Sequence, residues 1–297
     1  MSTPIPVRPP TTTPTVQIGE WRIDILNGGR FVMDGGILFG VVPRRLWAMA
    51  RTPDSLNRLP CACNCLLARN GRQTILIDTG YGGKQSPLDR KFYLLEQGEP
   101  LLAALQACGV ATGDIDLVVL SHLHWDHVGG VSRYNERGEL TLTFPRAVHL
   151  VGSIDWQDAT SGVPELAGTY DEKNLGPLRD LADLQLIEHD HEIAPGLRAI
   201  LTGGHTRGHL ALRFDSQGHT GLYFSDLCPS TYHLHPFWSL AYDLYPLDTR
   251  REKARLLAEA ADGDWIVFWT HDPQIGAARL ARHAKRAFMV TETWAAP

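Results

Sequence analysis

An unbroken apolar run, Leu117-Val118-Val119-Leu120, leads straight into Ser121-His122-Leu123-His124-Trp125-Asp126-His127-Val128-Gly129-Gly130. A short run without polar alternation reads as a strand buried on both faces. Four metal-type side chains, His122, His124, Asp126 and His127, then crowd into six residues. Burying imidazole and carboxylate is costly unless something satisfies them, and a divalent cation does so. His122 and His124 can point one way while Asp126 and His127 point another, a spacing able to serve two ions. A solvated, histidine-rich loop is the plain alternative.

Further candidate ligands stand in the same situation, just after an apolar strand. Residues 197–201 lead to Gly203-Gly204-His205-Thr206, Leu222-Tyr223-Phe224 to Ser225-Asp226, and Trp265 to Trp269 to Thr270-His271-Asp272. Side chains at the ends of sheet strands converge in one crevice. Taken singly, each has an ordinary explanation, since a His after Gly-Gly can be a turn residue and an Asp after a strand a helix cap.

Strand signals at 21–26, 65–69, 74–77, 117–120, 147–151, 197–201, 211–214, 222–224 and 265–268 alternate with helix signals, the pattern of an α/β protein. Pro100 fits a first helical turn, with Leu101, Leu102 and Leu105 as the apolar face and Gly109 as the stop. Thr249 and Glu252 have capping-box spacing ahead of Leu256, Leu257 and Ala260, and Gly263 ends that helix. A third helix is expected over about 277–288. Gly28-Gly29 and Gly35-Gly36 read as hairpin turns, because neither phosphate-loop glycine pattern occurs.

The chain's 297 residues allow one large domain or two ordinary ones. With 43% hydrophobic and 21% charged residues the composition is globular. The 28 Lys and Arg against 33 Asp and Glu leave five net negative charges and no long basic run, which argues against nucleic acid as a partner. No stretch approaches the roughly 20 apolar residues of a membrane span. Residues 1–15, rich in Pro and Thr without an apolar core, are expected to be a flexible tail and not a secretory signal, so a cytoplasmic location is the default. Cys61, Cys63 and Cys65 alternate onto one strand face, where adjacent thiols do not wrap a metal tetrahedrally; a reduced, half-buried strand is expected.

Together these residues form H-x-H-x-D-H followed in order by His, Asp and His, and the chain is similar to the metallo-β-lactamase superfamily. Ile77-Asp78-Thr79-Gly80 matches that family's D-T-G turn, and Thr202-Gly203-Gly204-His205-Thr206-Arg207-Gly208-His209 resembles its T-P-G-H-T-P-G-H element, with Gly203 and Arg207 in place of the prolines. The resemblance implies an αββα sandwich of two mixed β-sheets flanked by helices, one domain over 16–297, with the site at one edge. It also implies that one metal takes His122, His124 and His205, the other Asp126, His127 and His271, with Asp226 bridging and Asp78 orienting a ligand imidazole from behind. Zinc is the first expectation, with iron, manganese or cobalt compatible with thiolate-free ligands. A water shared by two cations loses a proton near neutral pH, and this bridging hydroxide makes hydrolysis the expected reaction.

Asp226 at the bridging position departs from the zinc β-lactamases, which usually carry Cys there. The segments Met33 to Pro43 and Ser225 to Leu234, continuing through Leu247, resemble quorum-quenching N-acyl-homoserine lactonases. That resemblance implies a lactone or ester as small-molecule substrate, with Leu38, Phe39, Phe237 and Trp238 accepting an acyl chain. Some lactonases place a Tyr three residues after the bridging Asp. Here Pro229 stands there, leaving Tyr232 or Tyr242 to supply the phenol. His233 and His235 lie outside the ligand pattern. An organophosphate or arylester hydrolase with the same metals is the alternative enzyme, and a metal-supported scaffold the non-enzymatic one. The N-terminal arm and the apolar segment Leu38 to Trp47 are candidates for pairing two subunits as a homodimer.

Overall fold

The computed structural model describes residues 13–166 and 168–297. The first half of the chain forms β1 (Thr15–Ile18), β2 (Trp21–Asp34), β3 (Arg58–Arg69), β4 (Thr74–Ile77), β5 (Leu117–Leu120), a ribbon of β6 (Ser132–Tyr134) and β7 (Leu140–Leu142), then β8 (Val148–Gly152) and β9 (Asp183–Ile187). The second half adds β10 (His191–Ala194), β11 (Leu197–Leu201), β12 (Leu210–Ser216), β13 (His219–Tyr223), β14 (Ile266–Phe268), β15 (Ile275–His283) and β16 (Ala287–Ala295). Two seven-stranded sheets result, ordered β1-β2-β3-β4-β5-β8-β9 and β10 through β16 in sequence. The pairings β4/β5, β5/β8, β8/β9 and β13/β14 are parallel, so each needs a long crossover.

The sheets meet face to face. Ile23, Ile25, Leu66, Ile77 and Val119 of the first pack against Leu197, Leu212, Phe214, Tyr223 and Phe268 of the second. The outer face of the first sheet lies under Leu101, Leu105, Leu175 and Leu178 of helices Pro100–Ala107 and Glu172–Leu181. Leu256, Leu257 and Ala260 of helix Pro246–Asp262 cover the second. This is the expected αββα sandwich, and double-faced burial explains why β5 is apolar at every position. No helix among the described residues is long and apolar enough to cross a membrane.

Several local expectations are corrected. Residues 277–288 are not a helix but most of the β15/β16 hairpin, in which Leu280 pairs with Val290, while β15 also pairs with β14 through Arg279 to Ile266 and Ala277 to Phe268. Ala278 and Leu280 lie in the same apolar cluster as Leu256 and Leu257, whereas Ala277 joins the core between the sheets, so the run alternates between two buried faces and packing overrides propensity. Gly28-Gly29 is no turn; it lies inside β2, where the register against β3 shifts between Asn27 and Arg30, and a side chain on Gly29 would collide with the Tyr81 ring. Gly35-Gly36 opens helix Gly35–Phe39, capped by Asp34 accepting from Gly36 N at 2.7 Å. Helix Pro246–Asp262 begins before Thr249, so the capping box does not form, although the helix ends at Gly263 as expected.

Residues 1–12 of the expected tail lie outside the described residues, and Thr15 already pairs with Asp24 in the first sheet. All five cysteines are free; Cys61, Cys63 and Cys65 are fully buried where a half-buried strand was expected. In the segment considered for subunit pairing, Leu38, Phe39, Val42 and Trp47 are buried within this chain, leaving Val41 and Leu46 exposed.

Candidate metal centre

Each expected ligand emerges from the carboxyl end of a strand. β5 delivers His122 and His124, and a helical turn at Trp125–Val128 presents Asp126 and His127. β11 leads to His205, β13 to Asp226 and β14 to His271. Two of the connecting turns hold non-glycine residues in left-handed backbone, Asp78 at φ 56° and Ser225 at φ 48°. Such strain persists only where surroundings over-determine it. Gly204, at φ 88°, allows His205 its approach to helix Pro246–Asp262, since a Cβ there would stand 2.7 Å from Thr249 N.

The donor atoms fall into two groups. Those of His122, His124, His205 and Asp226 lie within 4.8 Å of one another, and so do those of Asp126, His127 and His271. Asp226 stands between them: Oδ2 is 3.2 Å from His205 Nε2, while Oδ1 is 3.0 Å from His271 Nε2 and 3.4 Å from His127 Nε2. Imidazole nitrogens also face each other, His205 Nε2 to His124 Nδ1 at 3.0 Å and His127 Nε2 to His271 Nε2 at 3.3 Å. His122 Nε2 is buried with no hydrogen-bond partner. Converging lone pairs and an orphaned buried nitrogen fit two divalent cations sharing one carboxylate.

Hydrogen bonds behind the imidazoles fix their orientation. Nδ1 of His127 donates to Asp78 Oδ2 at 2.8 Å. Two partners were not anticipated: Asp243 Oδ1 accepts from His205 Nδ1 at 2.9 Å, and the Ala62 carbonyl accepts from His271 Nδ1 at 2.7 Å. Asp243 lies in the lactonase-like segment through Leu247 but was given no role there, and a carbonyl carries no residue signature. Burial and neighbouring imidazoles hold His122 and His124 well below the usual histidine range. Burial opposes charge on His127 too, but the Asp226 and Asp78 carboxylates outweigh it and raise its pKa. Against burial, His271, His127 and His205 hold Asp226 well below the usual carboxylate range.

A cavity of about 300 Å³ opens over His124, Asp126, His205, Asp226 and His271. Its walls are Phe31, Met33, Ile37, Leu38, Tyr93, Trp125, Leu240 and Tyr242, with Gly168 and Thr169 at one side. Of the expected pocket residues only Leu38 lines it. Phe39 is buried behind, stacked between Trp47 and His233, and Trp238 packs edge-on against Phe39. Phe237 is 64% exposed. The two tyrosines separate: Tyr242 lines the cavity, its ring 6.4 Å from that of His124, whereas the Tyr232 hydroxyl accepts from Arg51 at 2.7 Å in a different crevice. Trp125, flanked by ligands in the motif itself, was the wall residue most open to discovery from sequence. His233 is buried and donates through Nε2 to the Leu38 carbonyl at 2.8 Å, a structural role in keeping with its exclusion from the ligands.

The model of the metallo-beta-lactamase superfamily matches residues 58–271. The chain belongs to that superfamily. It is 24% identical over 182 residues to an N-acyl homoserine lactonase of Bacillus cereus, covering 56% of this chain and 62% of the relative, so the match spans less than two thirds of that protein. A probable metal-dependent hydrolase from Staphylococcus aureus superposes with a TM-score of 0.85 at 30% identity, over 94% of this chain and 99% of its own. AidC, a dizinc quorum-quenching lactonase in complex with a product, superposes at TM-score 0.75 and 23% identity, over 94% and 97% of the two chains. The hydrolase AbOPH does so at 0.76 and 21%, over 98% and 99%. The last two likenesses speak for the fold.

Proposed function

We propose that the protein is a dinuclear metal-dependent hydrolase that opens the lactone ring of N-acyl homoserine lactones. One observation carries this reading: five of the seven candidate ligands floor a cavity whose remaining walls are mostly apolar. That arrangement suits a small polar ring joined to an acyl chain. The lactonase activity of relatives such as the Bacillus cereus protein supports it. Zinc is the proposed ion, as in the dizinc AidC, with iron, manganese or cobalt as alternatives.

Two ions bound there supply Lewis acidity and lower the pKa of water enough for attack at neutral pH. The chain's own residues do the rest. Asp226 holds the two ligand groups in register, Tyr242 offers a phenol to a substrate oxygen, and Phe31, Ile37, Leu38 and Trp125 exclude water and receive the chain. No cysteine lines the cavity, and burial pushes the Cys63 thiol well above its usual range and Cys228 up to about 12.

The test is ring opening by the metal-loaded protein, followed by pH-stat or mass spectrometry over short and long acyl chains. No turnover across that panel would sink the assignment. A second reading, an organophosphate or arylester hydrolase, draws on the aromatic wall of Phe31, Tyr93 and Trp125, which suits an aryl leaving group. Paraoxon hydrolysis faster than any lactone would favour it.

A further inference from the structure

Asp78 is more heavily engaged than orienting one imidazole requires. Its Oδ2 accepts from three donors: His127 Nδ1 at 2.8 Å, Ser121 Oγ at 2.8 Å and the Tyr223 hydroxyl at 2.7 Å. Oδ1 accepts from Ser121 N at 2.8 Å. Ser225 Oγ in turn donates to Ser121 Oγ at 2.7 Å. Tyr223 ends β13 of the second sheet and Ser225 follows it, Asp78 and Ser121 directly follow β4 and β5 of the first, and Tyr223 is completely buried in the core between the sheets.

A carboxylate oxygen has a limited charge to share. Each donor to Oδ2 weakens the others, and in a dry interior that competition is felt strongly. A phenol is a more acidic donor than an aliphatic hydroxyl or a neutral imidazole, and it makes the shortest of the contacts. We infer that Tyr223 is a positioning residue that draws charge from Asp78, keeps His127 a weaker donor through Nε2, and so sets the affinity of the ion held by Asp126, His127 and His271. A merely structural pin between the sheets predicts the opposite sign, because its loss loosens the site.

The experiment is Tyr223→Phe in the full chain, with Zn²⁺ affinities read by competition against a chromophoric chelator. The vacated hydroxyl volume is too small to admit a replacement water. The expected result is one Zn²⁺ held about fivefold tighter and the other unchanged, with the gain absent when Asp78→Asn is already present. Replacing Tyr223 by 3-fluorotyrosine, a stronger donor of nearly the same shape, is expected to weaken the same ion, and it serves equally if the phenylalanine variant does not fold. Unchanged affinities, equal weakening of both ions, or the same shift in the Asp78→Asn background would each overturn the inference. It rests on the dinuclear reading, whose own failure is distinct: wild-type protein taking up fewer than two Zn²⁺ per chain overturns both.

Discussion

The carboxylate of Asp243 receives the Nδ1 proton of His205 at 2.9 Å, across 38 residues of sequence, from the position next to Tyr242 in the cavity wall. A candidate metal ligand and a cavity-lining phenol are therefore held by one short loop. Asp243→Asn keeps the shape but removes the charge. Expected is a loss of about 10- to 100-fold in affinity for the ion of the His122, His124 and His205 group, with the other ion little affected. Metal competition on the purified variant checks this, and equal loss at both ions would contradict it.

Removal of the ligands themselves should divide the same way. His122→Ala and His271→Ala are each expected to retain about one ion per chain while losing at least about a hundredfold in kcat. Elemental analysis beside the lactone assay reads both quantities. A strong chelator should abolish turnover and added Zn²⁺ restore it. A variant that keeps two ions and full activity would remove its histidine from the ligand set.

The wall residues predict chain-length selectivity. Ile37→Trp narrows the cavity, so KM for long acyl chains is expected to rise about tenfold, with short chains much less affected. Phe237→Ala, at a residue 64% exposed, is expected to leave both unchanged. A large effect at Phe237 would move the acyl site out of the cavity described above.

A separate prediction concerns acid stability. His149 on β8 is fully buried, neither ring nitrogen has a hydrogen-bond partner, and burial pushes its pKa down to about 4 from 6.5. The unfolded chain therefore binds the proton more readily, and stability rises with pH between about 4 and 6.5. Above that window the neutral ring carries no penalty; below it about 3 kcal/mol is lost. His149→Leu should flatten this dependence. Urea unfolding of both proteins at pH 7.5 and 5.0, with chelator present throughout, measures it, and an unchanged difference between the two pH values would refute it.

Much of the centre was legible because its ligands obey local rules. β4, β5 and β11 have the bounds that their apolar runs announce, and the candidate ligands His122 and His205 follow within four residues of β5 and β11, with Asp78 directly after β4. What remained hidden depends on partners remote in sequence. Ala277 and Ala278 read as helix until β14 is seen beside them, and Gly28-Gly29 reads as a turn until Tyr81 is seen against it. The acyl wall was misjudged for the same reason. Phe39 and Trp238 are aromatic enough for a pocket, but they consume their surfaces on Trp47, His233 and each other. Phe31 and Met33, unremarkable in sequence, reach the cavity because β2 is long enough to run past the core to its edge.

That length of β2 separates two duties along one strand. Its first residues, Ile23 and Ile25, belong to the core between the sheets, whereas Phe31 and Met33 face the cavity beyond the glycine bulge. The seven candidate ligands all follow other strands, but Phe31 packs edge-on against His271 with ring centroids 5.6 Å apart, so this end of β2 borders both the cavity and the candidate centre. The bulge thus divides β2 into a length that holds the two sheets together and a length that shapes the cavity, so fold and cavity wall meet along one continuous backbone.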